Sequence, residues 1–250
     1  MRKLPLFPTL GDSLKKTFKE LYSSMGFSFL LSLLWFTAYL PIIFVFISIY
    51  FNPTLLSKVK QPGDIFVLFF GMSLVCTIWN GLVAGPVTTA LYGIYENRKG
   101  DYPSTRMFFQ IFKKCYTRSA GVHFVYSLVV TALLLNFVII FTRPNVLMLI
   151  AGIISLYMLF FLALLQFYFH PLLFLDNGFK KVVKKSFLLT VDNLGLSFWY
   201  AVIIGFLPVL TLLIPQIMPV TMLVLFFIYG AFIIYIINHG FETIYAKYDE

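Results

Sequence analysis

The sequence predicts an all-α membrane protein: six transmembrane helices, with amphipathic helices on the cytoplasmic side before spans one, three and five. Three observations predict it. The 250 residues are 60% hydrophobic and only 12% charged, with a mean hydropathy of +0.90, whereas a soluble domain carries about 25% charged residues. Six stretches stay apolar for the roughly 20 residues that a bilayer core of about 30 Å requires. Finally, all of the 19 Lys and Arg except Lys58, Lys60 and Arg143 fall on one side of a six-span arrangement, as the positive-inside rule demands. The composition excludes a cytosolic enzyme, a nucleic-acid-binding module and a disordered chain. The net charge of +9 reads as membrane sidedness, with no nucleic-acid partner.

The spans are Phe27–Tyr50, Ile65–Pro86, Gly121–Phe141, Val146–His170, Leu196–Ile214 and Val220–Ile237, within one polytopic domain, 1–250. The first is too long for a signal-peptide core and lacks a small-x-small cleavage site, so it reads as an anchor. Pro215 and Pro219 bracket a hairpin turn between the last two. An even count places both termini in the cytoplasm, in a cell-membrane protein. Two apolar runs overshoot the bilayer: Ile65–Tyr95 would make about 46 Å of helix, and Val146–Leu175 behaves alike. Each contains a proline, at Gly85-Pro86 and His170-Pro171, where a kink is expected. After the first kink, Val87–Glu96 is expected to turn along the inner surface. Pro41 and Pro208 should bend spans one and five.

The cytoplasmic segments carry helical periodicity. Leu10, Leu14, Phe18, Leu21 and Tyr22 form a stripe beside Lys15, Lys16 and Lys19. Pro103 can open a helix in which Met107, Phe108, Ile111, Phe112 and Cys115 share a face beside Lys113 and Lys114. Asp176 or Asn177 can cap a helix that gathers Phe179, Val182, Val183 and Phe187 opposite Lys180, Lys181, Lys184 and Lys185. Such helices suit the inner-leaflet interface and its anionic lipids, each Lys contributing about 1 kcal/mol at most; the same lysines suit docking of a partner. Each segment enters its span through a similar junction, Gly26-Phe27-Ser28-Phe29, Gly121-Val122-His123-Phe124 and Gly195-Leu196-Ser197-Phe198. This suggests three repeated units, each an interfacial helix followed by a hairpin.

The block Gly85-Pro86-Val87-Thr88-Thr89-Ala90-Leu91-Tyr92 resembles the YesL-type family of bacterial integral membrane proteins. So do Leu33-Leu34-Trp35, the charged turn Arg98-Lys99-Gly100-Asp101 and the helix Phe108-Phe109-Gln110-Ile111-Phe112-Lys113-Lys114. A further match runs from Phe174-Leu175-Asp176-Asn177-Gly178-Phe179-Lys180-Lys181 into Lys184-Lys185-Ser186-Phe187-Leu188-Leu189. Between Trp35 and Gly85 the chain carries more sequence than the family pattern. The resemblance implies a multi-pass protein without an assigned activity, frequently encoded near carbohydrate-uptake systems. It brings no catalytic residues.

Nothing in the spacing supports a catalytic triad, a carboxylate pair, a phosphate loop or a metal site, and no cofactor is expected. Cys76 and Cys115 are not expected to pair. Asn80, Asn136, Gln166 and His170 would line a polar path through the membrane; alternatively, with Thr88 and Thr89, they bond across helices. The leading expectation is a non-enzymatic accessory or small-solute (carbohydrate included) transport component, partnered by the bilayer and a membrane transporter complex. One alternative is an enzyme acting on lipid or glycan-lipid, which needs His123, His170 or His239 within reach of Asp176 or Glu242. Another is a scaffold for partner proteins, which needs dry helix packing throughout.

Overall fold

In hydrocarbon, an apolar segment satisfies its backbone N–H and C=O groups as a helix or a closed barrel. The computed structural model describes residues 5–51, 62–97, 105–142, 145–175, 178–213, 220 and 223–248, and every element among them is helical. The chain runs as α1 (Leu6–Ser23), α2 (Met25–Phe51), α3 (Pro62–Trp79), a π turn (Asn80–Ala84), α4 (Gly85–Glu96), α5 (Thr105–Thr142) and α6 (Val146–Leu175). It continues as α7 (Phe179–Asp192), α8 (Leu194–Leu213), a second π turn (Leu225–Tyr229), α9 (Gly230–Tyr245) and a closing 3-10 turn (Ala246–Tyr248).

Among the described residues, five runs are long and apolar enough to cross a membrane: Met25–Val45, Phe66–Glu96, Arg106–Phe137, Val146–Leu175 and Phe226–Tyr248. The expected fifth span, Leu196–Ile214, coincides with α8. Its described part reaches that length only when joined to α7, from which it is bent by 99°. Pro103, Asp176, Asn177 and the Pro215–Pro219 turn lie outside the described residues.

The sequence places the junctions well but misjudges one of them. Ser24 (φ −127°, ψ 43°) ends α1 and Asn193 (φ −122°, ψ 36°) ends α7, each N–H reaching back to the carbonyl four residues earlier, Glu20 at 3.0 Å and Leu189 at 3.1 Å. Short polar side chains compete for backbone hydrogen bonds and favour such stops. At Gly121 there is no stop. A separate interfacial helix before span three does not exist, because α5 runs unbroken through Thr105–Thr142. In the matching register stand Ser119, whose hydroxyl is engaged by Thr89 at 2.8 Å, and Ala120, the strongest helix former.

The expectation at Gly85-Pro86 also needs correction. Gly85-Pro86 does mark a break, but Pro86 sits in the first turn of α4, where a missing N–H is tolerated. The preceding π turn takes up the irregularity, so Phe66–Glu96 continues as one run. Val87–Glu96 does not turn along a surface: Thr88 to Ile94 are buried in the core. Helices α2, α6 and α8 continue as helix through Pro41, Pro171 and Pro208, as a helix bent at proline also does, because a single lost backbone bond leaves the rest of the ladder intact.

The core sits where α4, the second half of α6 and α9 pack on one another. Tyr92, Leu164, Tyr168, Leu172, Leu173, Tyr235 and Ile236 are at most 1% exposed there. Around this trio, α5 packs on α4, α7 on α6, and α1 on α9. The last pairing brings the first helix back to the last and closes the ring. Buried tyrosines tie the layers: Tyr235 Oη lies 2.9 Å from Ser28 Oγ, Tyr168 Oη 2.7 Å from Ser197 Oγ, and Tyr200 Oη donates to Ser13 Oγ at 2.8 Å.

Close helix contact depends on particular glycines. A Cβ on Gly230 would lie 2.7 Å from Trp35 Cβ and 2.8 Å from Ser32 Cα, and one on Gly81 would lie 2.9 Å from Phe124 Cα. Backbone cannot step aside cheaply, so Gly230→Ala and Gly81→Ala should each destabilise by about 1–3 kcal/mol. Gly121 has open space around its missing Cβ, so Gly121→Ala should stabilise by about 0.5–1 kcal/mol. Thermal unfolding in detergent, followed by intrinsic fluorescence, checks the opposite signs.

Candidate functional site

The polar residues of this chain gather in four places. The first is the set of amides expected to line a path. Asn80 Nδ2 donates to Ser127 Oγ at 2.6 Å, Asn136 Nδ2 to Ser155 Oγ at 3.2 Å, and Gln166 Oε1 accepts from Tyr126 Oη at 3.2 Å. Thr77 Oγ1 joins the same row, 2.6 Å from Thr131 Oγ1. One face of α5 therefore carries hydroxyls and an amide that meet α3 and its π turn on one flank and α6 on the other. Each such bond contributes about 0.6–2 kcal/mol between helices in lipid.

The second place is a buried histidine pair. His123 and His170 stack with ring centroids 4.9 Å apart and planes at 23°. Both are essentially unexposed. His170 Nδ1 lies 3.1 Å from Thr89 Oγ1, so it serves Thr89 and not a carbonyl freed by Pro171. Neither ring nitrogen of His123 has a hydrogen-bond partner. Gly85 makes room for this ring, since a Cβ there would lie 2.3 Å from it. Sequence reasoning treated the three histidines singly; the stack arises because α5 and α6 meet at this level.

The third place is the end of the bundle where α1, α4 and α9 converge. Glu20 Oε2 accepts from Tyr95 Oη at 2.6 Å and lies 3.0 Å from His239 Nε2. His239 Nδ1 is 3.7 Å from Glu242 Oε2, an ion-pair distance longer than a hydrogen bond. Tyr92 Oη sits 2.9 Å from Glu96 Oε1 and 2.8 Å from Asn238 Oδ1, and its single proton serves one at a time. Asn238 Nδ2 donates to Glu242 Oε1 at 3.2 Å. His239 and Glu242 were legible as candidates. Glu20, Tyr92, Tyr95 and Asn238 were not, though Glu20 and Glu96 are conspicuous among only 10 acidic residues. Every member bonds to another protein group, so the arrangement pins α1 to the core. Among the described residues, no group of three or more His, Cys, Asp or Glu is placed to hold a metal ion.

The fourth place is the basic surface. Lys180, Lys181 and Lys184 of α7 are exposed, Lys185 is half-buried, and Lys113 and Lys114 of α5 are exposed. Lys114 Nζ stands 5.9 Å over the Phe174 ring. Helix α7 presents three sectors: Val182, Ser186 and Leu189 face the core, Phe179, Val183 and Phe187 form an exposed apolar stripe, and the lysines lie beyond it. At its end, Lys247 Nζ donates to Asp192 Oδ2 at 2.8 Å, and Tyr248 Oη bonds the same oxygen. Lys247, and then Tyr248, hold the Asp192 carboxyl below the usual carboxylate range.

No family model, curated protein or solved structure matches the chain.

Glu20 carries the largest share of the α1 latch. Glu20→Ala removes the carboxylate that accepts from the Tyr95 hydroxyl and meets His239 Nε2, and should cost about 1–3 kcal/mol. Tryptic cleavage after Lys15, Lys16 or Lys19 should speed up as α1 loosens. Glu242 is 55% exposed, so Glu242→Ala should cost less than about 1 kcal/mol. Unfolding midpoints and cleavage rates, measured side by side, check the ranking.

Proposed function

We propose that the chain is a six-span protein of the cell membrane with both termini in the cytoplasm, of YesL-like type. It acts without catalysis, as an accessory component whose basic face docks against a membrane transporter complex. The observation that carries this reading is the three-sector surface of α7. A helix that only capped the bundle would need no exposed apolar stripe beside exposed lysines, whereas a helix seated in an interface needs both. The charge distribution supports the sidedness, because α1, the first part of α5 and α7 carry most of the lysines.

The same reading takes the chain as three related units. Supporting it, Phe27, Val122 and Leu196 are buried, Ser28, His123 and Ser197 are buried, and Phe29, Phe124 and Phe198 are 39%, 37% and 38% exposed. The junction register is thus kept at all three places, even where α5 does not stop. The closed order of packing, α5 on α4, α7 on α6 and α1 on α9, agrees with a unit repeated around an axis.

An accessory role is favoured over a solute carrier because Asn80, Asn136 and Gln166 are each bonded to a neighbouring helix. It is favoured over an enzyme because His123 and His170 stack on each other, while His239 is engaged by Glu20 at 3.0 Å and its 3.7 Å contact with Glu242, the pairing an enzyme needs, is longer than a hydrogen bond. The test replaces Lys180, Lys181, Lys184 and Lys185 with Gln and compares native-gel migration from mild detergent. The wild type should run within a larger complex. The variant should insert equally but lose the complex by about tenfold or more, given up to about 1 kcal/mol per lysine. A variant that stays in the complex overturns docking, and sugar uptake by vesicles holding this chain alone moves the assignment to a carrier.

A further inference from the structure

One surface is not accounted for by packing or by the basic stripe. Between α1, α8 and the second π turn lies a groove of about 500 Å³, whose walls include Leu14, Phe18, Ile203, Phe206, Ile228 and Tyr229. Its walls are almost wholly apolar. The Tyr229 hydroxyl, a polar group at the rim, is consumed by the Ile204 carbonyl. The groove lies where α1 contacts both α8 and α9. It opens sideways, and Phe18, Phe206 and Ile228 remain 59%, 63% and 49% exposed.

We infer that this groove holds one acyl chain of an anionic phospholipid, with the headgroup at Lys15 and Lys19. Chemistry decides the occupant. An almost wholly apolar groove beside exposed lysines fits a partner with an apolar body and a negative charge at one end, which an anionic phospholipid has. An acyl chain leaving the bilayer for an apolar groove exchanges hydrocarbon for hydrocarbon and gains only packing, so selectivity must come from the polar end. Lys15 neighbours the groove residue Phe18 at i, i+3 and Lys19 neighbours Lys15 at i, i+4; both lie on the flank of α1 away from its buried face of Leu10, Ser13 and Thr17, and are exposed. A lysine near the surface favours an anionic headgroup by about fivefold. Such a site goes beyond general attraction to the inner leaflet, because it binds one lipid at one place. It does not depend on docking through α7.

The test purifies the full chain from mixed micelles with equimolar phosphatidylglycerol and phosphatidylcholine and reads bound lipid by native mass spectrometry. One phosphatidylglycerol per chain should be retained, about tenfold over phosphatidylcholine. Lys15→Gln with Lys19→Gln should lower that preference about fivefold or more, and Ile203→Trp, which fills the groove, should release both lipids. In parallel, phosphatidylglycerol with a photoreactive acyl chain is crosslinked to the wild type, which avoids any folding defect in a variant. Labelling should concentrate on Phe18, Ile203, Phe206 and Ile228. Equal labelling of Ile153 and Tyr157 on the exposed face of α6, an unchanged lipid preference in the lysine variant, or a second copy of the chain crosslinked at the groove would each overturn the assignment. The α7 lysine variant should retain the lipid, which separates failure of this site from failure of the docking role.

Discussion

Buried polar side chains that find partners on other helices hold this bundle in register. Apolar contact alone gives helices in lipid little reason to prefer one neighbour over another, because lipid tails are as apolar as leucine. Tyr235 meets Ser28, Tyr168 meets Ser197, Tyr200 meets Ser13, and Tyr92 meets Asn238. Each pair joins segments far apart in the chain, and each would be left unsatisfied if one helix rotated or slid by a turn. An unpaired hydroxyl or amide costs about 1–3 kcal/mol, so together these contacts select one packing from many of similar apolar energy.

The two π turns belong to the same logic. A π turn shifts the backbone ladder by one residue and redirects the side chains beyond it. After the second, the Ala231 N–H donates to Ser32 Oγ at 2.9 Å, so a backbone donor also becomes an interhelix contact. Near the first, Asn80 reaches Ser127 and Gly85 opens the slot for His123. The irregular backbone therefore lies where helices approach closely, at Gly81 in the first turn and at Gly230 just after the second.

The amphipathic ends do a different job. On α1, Thr9, Ser13 and Thr17 share the buried face with Leu10, which lets α1 lie close to α9, while the larger Phe7, Phe18 and Tyr22 stay exposed. Helix α7 repeats this with Val182, Ser186 and Thr190 inward and Phe187 and Leu188 outward. Read from the sequence, the largest apolar residues mark the face that packs; in the folded protein many of them face outward. The signal was present in the small hydroxyl residues at helical spacing, but it resembles an ordinary polar face until a neighbouring helix is in place.

The sequence by itself determined the helical class, the positions of the apolar runs and the junctions near Gly26 and Gly195 where α1 and α7 give way to them. These follow from hydropathy, local propensity and side-chain competition for nearby backbone groups, all of which act over one or two turns. Tertiary structure alone decided that His123 stacks on His170, that Glu20 reaches Tyr95 and His239, and that Pro171 leaves its helix unbroken. It also decided that Val87–Glu96 enters the core and that a groove stands open beside α1. Those outcomes depend on the rotation and height of one helix against another, and such relative placement is fixed only when many contacts between distant helices form at once.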